Sequence, residues 1–185
     1  WEIVPHLSIE DAGVAAHRLE TIMARRVPVA DILLEEKWSM ESGLVELFQK
    51  PDWLTTLSKA WELDEKEKAR LKTLGPSTIL ANTDRHMNTL IEQAKLPYAT
   101  QDERKPAPVD PLCEALSSMS RKVHFKDALC VSQNALLLVS LALQAYHAEH
   151  GEYPETLAAL APAYVQAVPD DPFALHTPFC YKRIE

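Results

Sequence analysis

The sequence predicts a mainly α-helical protein: a helical N-terminal subdomain, a proline-rich connection, then a long core helix with a small C-terminal cap. Three observations carry this. Glycine is scarce and proline abundant, 4 against 13 in 185 residues, which suits helices punctuated by Pro-led turns better than a β-sandwich with glycine at its hairpins. Apolar residues recur at helical spacing over much of the first 95 positions. Residues 112–150 contain neither proline nor glycine.

Residues 8–26 read as an amphipathic helix, with Ser8 and Asp11 as a capping pair and Ile9, Ala12, Ala16, Leu19 and Met23 on one face. Pro28 suits the first turn of a second helix, whose apolar positions are Ala30, Leu33, Leu34, Trp38, Leu44, Val45 and Phe48. Pro51 opens a third, with Trp53, Leu54, Leu57 and Trp61 turned inward. The charged run 64–73 is a solvated turn or short helix. Gly75-Pro76 stops one element and starts the next, marked by Ile79, Leu80, Met87, Leu90, Ile91 and Ala94.

The stretch 96–111, "LPYATQDERKPAPVDP", holds four prolines and a charge cluster. It is expected to be an extended connection, with 99–108 the most mobile internal segment. The boundaries that follow are 1–95, 96–111 and 112–185. Residues 112–150 then form one helix of roughly 58 Å at about 1.5 Å per residue, or two helices joined near Ser120. Its segment 135–146 is polar only at Ser140 and Gln144. That is too short for a membrane span of about 20 residues, so a surrounded helix is expected. Gly151 is its stop signal, Pro154 opens a short helix over 154–161, and 177–184 reads as a short strand or half of a hairpin.

Net charge is −8, and no basic face stands out, so nucleic acid is not an expected partner. Cys113, Cys130 and Cys180 form no C-x-x-C pair, which argues against a zinc ribbon or disulfide scaffold. The chain opens at Trp1 without an initiator methionine. Any membrane contact is expected through an anchor upstream of that residue.

One constellation raises the question of chemistry. In "QAYHAEHGEYPETL", His147 and His150 stand one helical turn apart around Glu149, with Glu152 and Glu155 beyond. The spacing matches neither H-E-x-x-H nor H-x-x-E-H. Histidines in a last helical turn also interact favourably with the negative helix end. His147, His150 and Glu149 are therefore the alternative metal ligands in a reading that assigns no metal, catalytic or cofactor residue. Asp170-Asp171 reads as a Pro-flanked turn, since calcium wants six to eight oxygens. Glu35, Glu36 and Glu41 read as a solvated face, and His86 as a core-edge histidine. Cys113 and Cys130 are expected on helix faces as small apolar residues. The tryptophans at 1, 38, 53 and 61 are expected in packing rather than around a pocket.

The C-terminal run "LALQAYHAEHGEYPETLAALAPAYVQAVPDDPF" resembles the major pseudopilin of type II secretion. The residues that carry the likeness are Tyr146, Gly151, Tyr153-Pro154, Leu157, Leu160, Pro169 and Asp171-Pro172-Phe173, within about 50 residues from Ala135 to Tyr181. The resemblance implies a helix ending at a Gly-x-Tyr-Pro turn, a short helix, and a D-P-[WF] turn into a small sheet. Phe173 and Tyr181 would then pack near Leu137, Leu141 and Leu160. The family's methylation signal, its assembly helix, the glycine after the D-P-W turn and its calcium loop are not among these residues. Assembly, processing and calcium binding therefore do not carry over. The whole chain is similar to a group of uncharacterised bacterial proteins, frequent in planctomycete-type genomes, in which a membrane-anchored helical region precedes the same tail.

The expected function is a non-catalytic, extracytoplasmic scaffold or protein-interaction module in the periplasm or cell envelope, tethered by an N-terminal anchor. Its partner is another protein or a second copy of itself. The alternatives are a metal-dependent hydrolase using His147 and His150, or a subunit of secretion or pilus-type machinery.

Overall fold

The computed structural model describes residues 8–100 and 109–183. Six α-helices follow one another among them: α1 (Ile9–Ala24), α2 (Val29–Phe48), α3 (Trp53–Ala60), α4 (Glu65–Leu74), α5 (Pro76–Ala94) and α6 (Pro111–His150). The protein is mainly α. Two compact units form, one of Val27–Lys126 and the other of Trp1–Arg26 with Asp127–Glu185.

In the unit 27–126, α2 buries Ala30, Leu33 and Leu44 in a cluster that also holds Leu57 of α3, Leu71 of α4, and Ile79, Met87 and Leu90 of α5. Leu112 and Leu116, at the start of α6, complete it. The charged segment expected as a solvated turn or short helix is α4. Asp64 accepts the Glu67 N–H at 2.8 Å and Glu67 accepts the Asp64 N–H at 2.8 Å, a reciprocal capping box. Gly75 serves as the single residue between α4 and α5. Its φ of +76° is a conformation that a side chain disfavours, and Pro76 supplies the next first-turn residue.

In the other unit, Ala12 and Ala16 of α1 pack with Leu138, Leu141, Ala142 and Ala145 of α6 and with Leu157, Leu160 and Val165 of the tail. Ser8 caps α1 by accepting the Asp11 N–H at 3.1 Å. The Glu20 carboxylate takes the Gln166 N–H at 2.8 Å, and Arg26 pairs with Asp127.

The units differ from the expected boundaries at 1–95, 96–111 and 112–185. Two pairings between sequence-distant residues account for it: α1 with the second half of α6, and Leu112 and Leu116 with α2–α5. Residues 101–108 of the expected connection lie outside the described residues.

Helix α6 is a single helix of 40 residues, without a joint near Ser120. By length and composition it is long and apolar enough to cross a membrane, which the shorter window 135–146 did not suggest. Gly151, at φ +76°, ends it, and its N–H bonds to the His147 carbonyl at 2.8 Å.

The cap is built differently from expectation. Pro154 opens no α-helix. A single 3-10 turn, Leu157–Leu160, forms instead and buries Leu157 and Leu160. The two sit three residues apart, where a 3-10 turn eclipses side chains on one side.

No strand forms among the described residues either, where 177–184 was expected to supply one. One antiparallel bridge joins Asp170 to Pro178. Pro178 has no N–H, so the bridge cannot grow into a ladder there. The period of two survives without a sheet: Phe179 and Tyr181 turn into the α1–α6 cluster, while Cys180 and Lys182 are exposed.

Phe173 does not join that cluster and is 39% exposed. Its N–H bonds to the Asp171 side chain at 2.9 Å, a local turn that holds residue 173 at the tip. Tyr181, as expected, shares a cluster with Leu137, Leu141 and Leu160.

Candidate functional site

The two histidines that raised the question of chemistry sit in the last turn of α6 and engage different rings. The His150 ring stacks on Tyr146, with centroids 4.1 Å apart and planes within 11°. Its Nδ1 lies 3.1 Å from the Tyr146 carbonyl. Because that carbonyl can only accept, Nδ1 carries the proton in this arrangement and Nε2 is the acceptor of the neutral ring. His147 lies instead against Tyr153, 4.4 Å between centroids. Glu149 accepts from the Tyr164 hydroxyl.

Desolvation first, and then the Glu149 carboxylate, push the Tyr164 hydroxyl up to about 12, so it stays a donor at neutral pH. His147, Glu149 and His150 thus spend their contacts on Tyr146, Tyr153 and Tyr164, rings that fasten the segment after Gly151 to the helix end. Among the described residues, no three His, Cys, Asp or Glu side chains are placed to hold one metal ion.

A second polar cluster lies where α6 begins, and sequence reasoning missed most of it. Asp110 is 1% exposed. It accepts from Asn82 Nδ2 at 2.9 Å and from the Cys113 N–H at 3.0 Å. It is the N-cap of α6 in function, and the Asp-Pro pair at 110–111 is the signal that could have revealed it. His86 is buried, with Nε2 2.7 Å from Ser117 Oγ. Desolvation lowers its pKa, opposed in part by Asp110. Burial pushes the Cys113 thiol up to about 12, with Asp110 adding to the effect. A thiol of that kind holds its proton and is a poor nucleophile. Asp110, His86 and Cys113 are buried, while Asn82 and Ser117 are half-buried at the edge of the group.

The other candidates disperse. Asp171 spends its carboxylate on the turn at Phe173. Cys130 and Cys180 are free and exposed. Trp53 packs edge-on against Phe48 at 5.2 Å, and Trp61 is half-buried in the same cluster; Trp1 lies outside the described residues. A cavity of about 230 Å³ is walled by Ala12, Ala16, Ala142, Ala145 and Val165. It is smaller than the roughly 300 Å³ at which small-molecule sites begin.

Several large apolar side chains stay exposed among the described residues, Met119, Val123 and Phe125 of α6 among them, and α2 carries three in a row. On α2, Leu34, Trp38 and Val45 are 40%, 60% and 45% exposed. They are four and seven residues apart, so they line one stripe, beside the side of the buried Leu33 and Leu44 rather than on it. Lys37 borders this stripe, its ammonium 5.9 Å from the centroid of the Trp38 ring. Its ammonium lies 2.7 Å from Asp84 and 2.8 Å from Asn88 Oδ1, with Glu41 at 3.6 Å. The hydrogen bond to Asp84 raises the lysine and lowers the aspartate, so both stay charged. Glu35 and Glu36 are exposed, as the solvated-face reading had them, whereas Glu41 of the same reading is half-buried beside Lys37.

Compared with protein-family models, curated proteins and solved structures, the chain matches none.

Proposed function

We propose that this protein is a non-catalytic scaffold or protein-interaction module acting outside the cytoplasm. The observation that carries the interaction reading is the α2 stripe. A tryptophan 60% exposed between Leu34 and Val45 is apolar surface that folding leaves in water, and contiguous apolar surface of this kind marks binding faces. Tryptophan is also the residue most enriched at the energetic centres of interfaces. The extracytoplasmic and membrane-tethered part of the proposal draws on the pseudopilin-like tail and on the likeness to envelope proteins that carry it.

The test is site-specific photocrosslinking in the cells that make the protein. A benzophenone amino acid at position 38 should give discrete adducts with another protein. The same group at position 22, an exposed isoleucine of α1, should give none or different ones. Equal, diffuse labelling from both positions would remove the reading. A fusion reporter active only outside the cytoplasm checks location separately.

A further inference from the structure

The α2 stripe also specifies the chemistry of what covers it. Helix α2 carries Asp31, Glu35, Glu36, Glu41 and Glu46 against one lysine, Lys37. Of the acids, Asp31, Glu35 and Glu46 border the stripe on one side, Glu41 borders it beside Lys37, and Glu36 falls on the opposite face. Five acids against one base is a net −4, half of the chain's −8. Lys37 is already engaged by Asp84, Asn88 and Glu41. Asp31, Glu35, Glu36 and Glu46 make no ion pair among the described residues. The face is therefore an apolar ridge with an acidic shoulder of Asp31, Glu35 and Glu46 on one side and the paired Lys37 and Glu41 on the other.

From this we infer that α2 docks a basic amphipathic helix of a partner protein. Its apolar residues, spaced three to four apart, cover Leu34, Trp38 and Val45, and its Lys or Arg residues meet the acidic shoulder. A ridge on one helix is matched by the groove between apolar side chains of another helix crossing it at a shallow angle. From Leu34 to Val45 the ridge runs roughly 16 Å at about 1.5 Å per residue, so about three turns of partner helix cover it. A second copy of this chain is the wrong occupant. A two-fold contact would bring the acidic shoulders of both copies together, and like charges across an interface oppose it. The inference rests on the interaction reading above and adds the partner's chemistry to it.

The experiment uses the full chain and two fluorescent 18-residue peptides. One has leucines at helical spacing and lysines elsewhere; the other has glutamates in place of the lysines. The lysine peptide should bind with an affinity that falls as salt is added, and the glutamate peptide should not bind. Leu34→Ser with Trp38→Ser keeps every charge and should weaken the lysine peptide about 30-fold, the loss given by a central aromatic anchor. Ile22→Ser, an exposed apolar change on α1, should leave binding unchanged. Both variants change exposed side chains, and circular dichroism confirms that they fold.

Equal binding of the two peptides, or no loss in the double variant, overturns the inference. So does a dimer in sedimentation velocity that the double variant dissolves, which would make a second copy the occupant. If position 38 crosslinks a partner in cells while the lysine peptide fails to bind, the partner chemistry is wrong and the interaction reading stands.

Discussion

Replacing Leu160 by alanine tests whether the C-terminal cap is an integral part of its unit. Leu160 is fully buried in the 3-10 turn after Pro154 and shares its cluster with Leu138, Leu141 and Ala145 of α6. The substitution removes three buried carbons at about 0.8 kcal/mol each, or roughly 2.4 kcal/mol in transfer alone. A cavity that the neighbours fill only partly brings such changes into a range of about 2–5 kcal/mol. Hydrogen exchange with mass spectrometry reads the two units separately. At about 1.4 kcal/mol per tenfold, the transfer figure of roughly 2.4 kcal/mol makes amides in 138–146 exchange about fiftyfold faster through opening of the unit. Amides in 79–91 belong to the other unit's core and should change far less. Faster exchange in 157–165 alone, with 138–146 unaffected, would mean that the tail only rests on α6.

Three more outcomes follow from the same geometry. Burial lowers the His86 pKa below its ordinary value of 6.5, so as pH drops beneath about 6.5 the unfolded chain gains a proton that the folded one resists. The unit 27–126 then loses stability down to the lowered folded value. The denaturation midpoint should fall from pH 7.5 to 5.5, less steeply in His86→Gln, and an identical slope in both proteins would count against it. Iodoacetamide at pH 8 should label Cys130 and Cys180 in the native protein and reach Cys113 only after denaturation, because the Cys113 thiol is buried and pushed up to about 12. Mass spectrometry finding three labels on native protein would refute this. Phe179→Ala should cost on the order of 2 kcal/mol in a chemical melt, and Phe173→Ala under about 1 kcal/mol, since only Phe179 packs in the cluster. The reverse order would restore the turn-in geometry expected for Phe173.

The sequence by itself determined the elements whose signals are local. Ser8, Pro28, Gly75-Pro76 and Gly151 marked helix boundaries to within a residue or two, because caps and breakers act through the backbone beside them. The absence of proline and glycine from 112–150 left α6 free to run on. The tertiary structure alone decided the rest. Only folding pairs Ala12 and Ala16 with residues some 125 positions later, so the units cut across the expected boundaries. Asn82 and His86 of α5 meet Asp110 and Ser117 at the start of α6, and no spacing along the chain encodes the meeting of those two helices. Pro178 stopped a strand that alternation alone favoured, because a sheet needs donors as well as a pattern. Trp38 was expected in packing, but periodicity places a residue on a helix face without saying which face is covered. Coverage depends on what packs against the helix, and here Trp38 stays 60% exposed with only the Lys37 ammonium, itself paired to Asp84 of α5, against its ring.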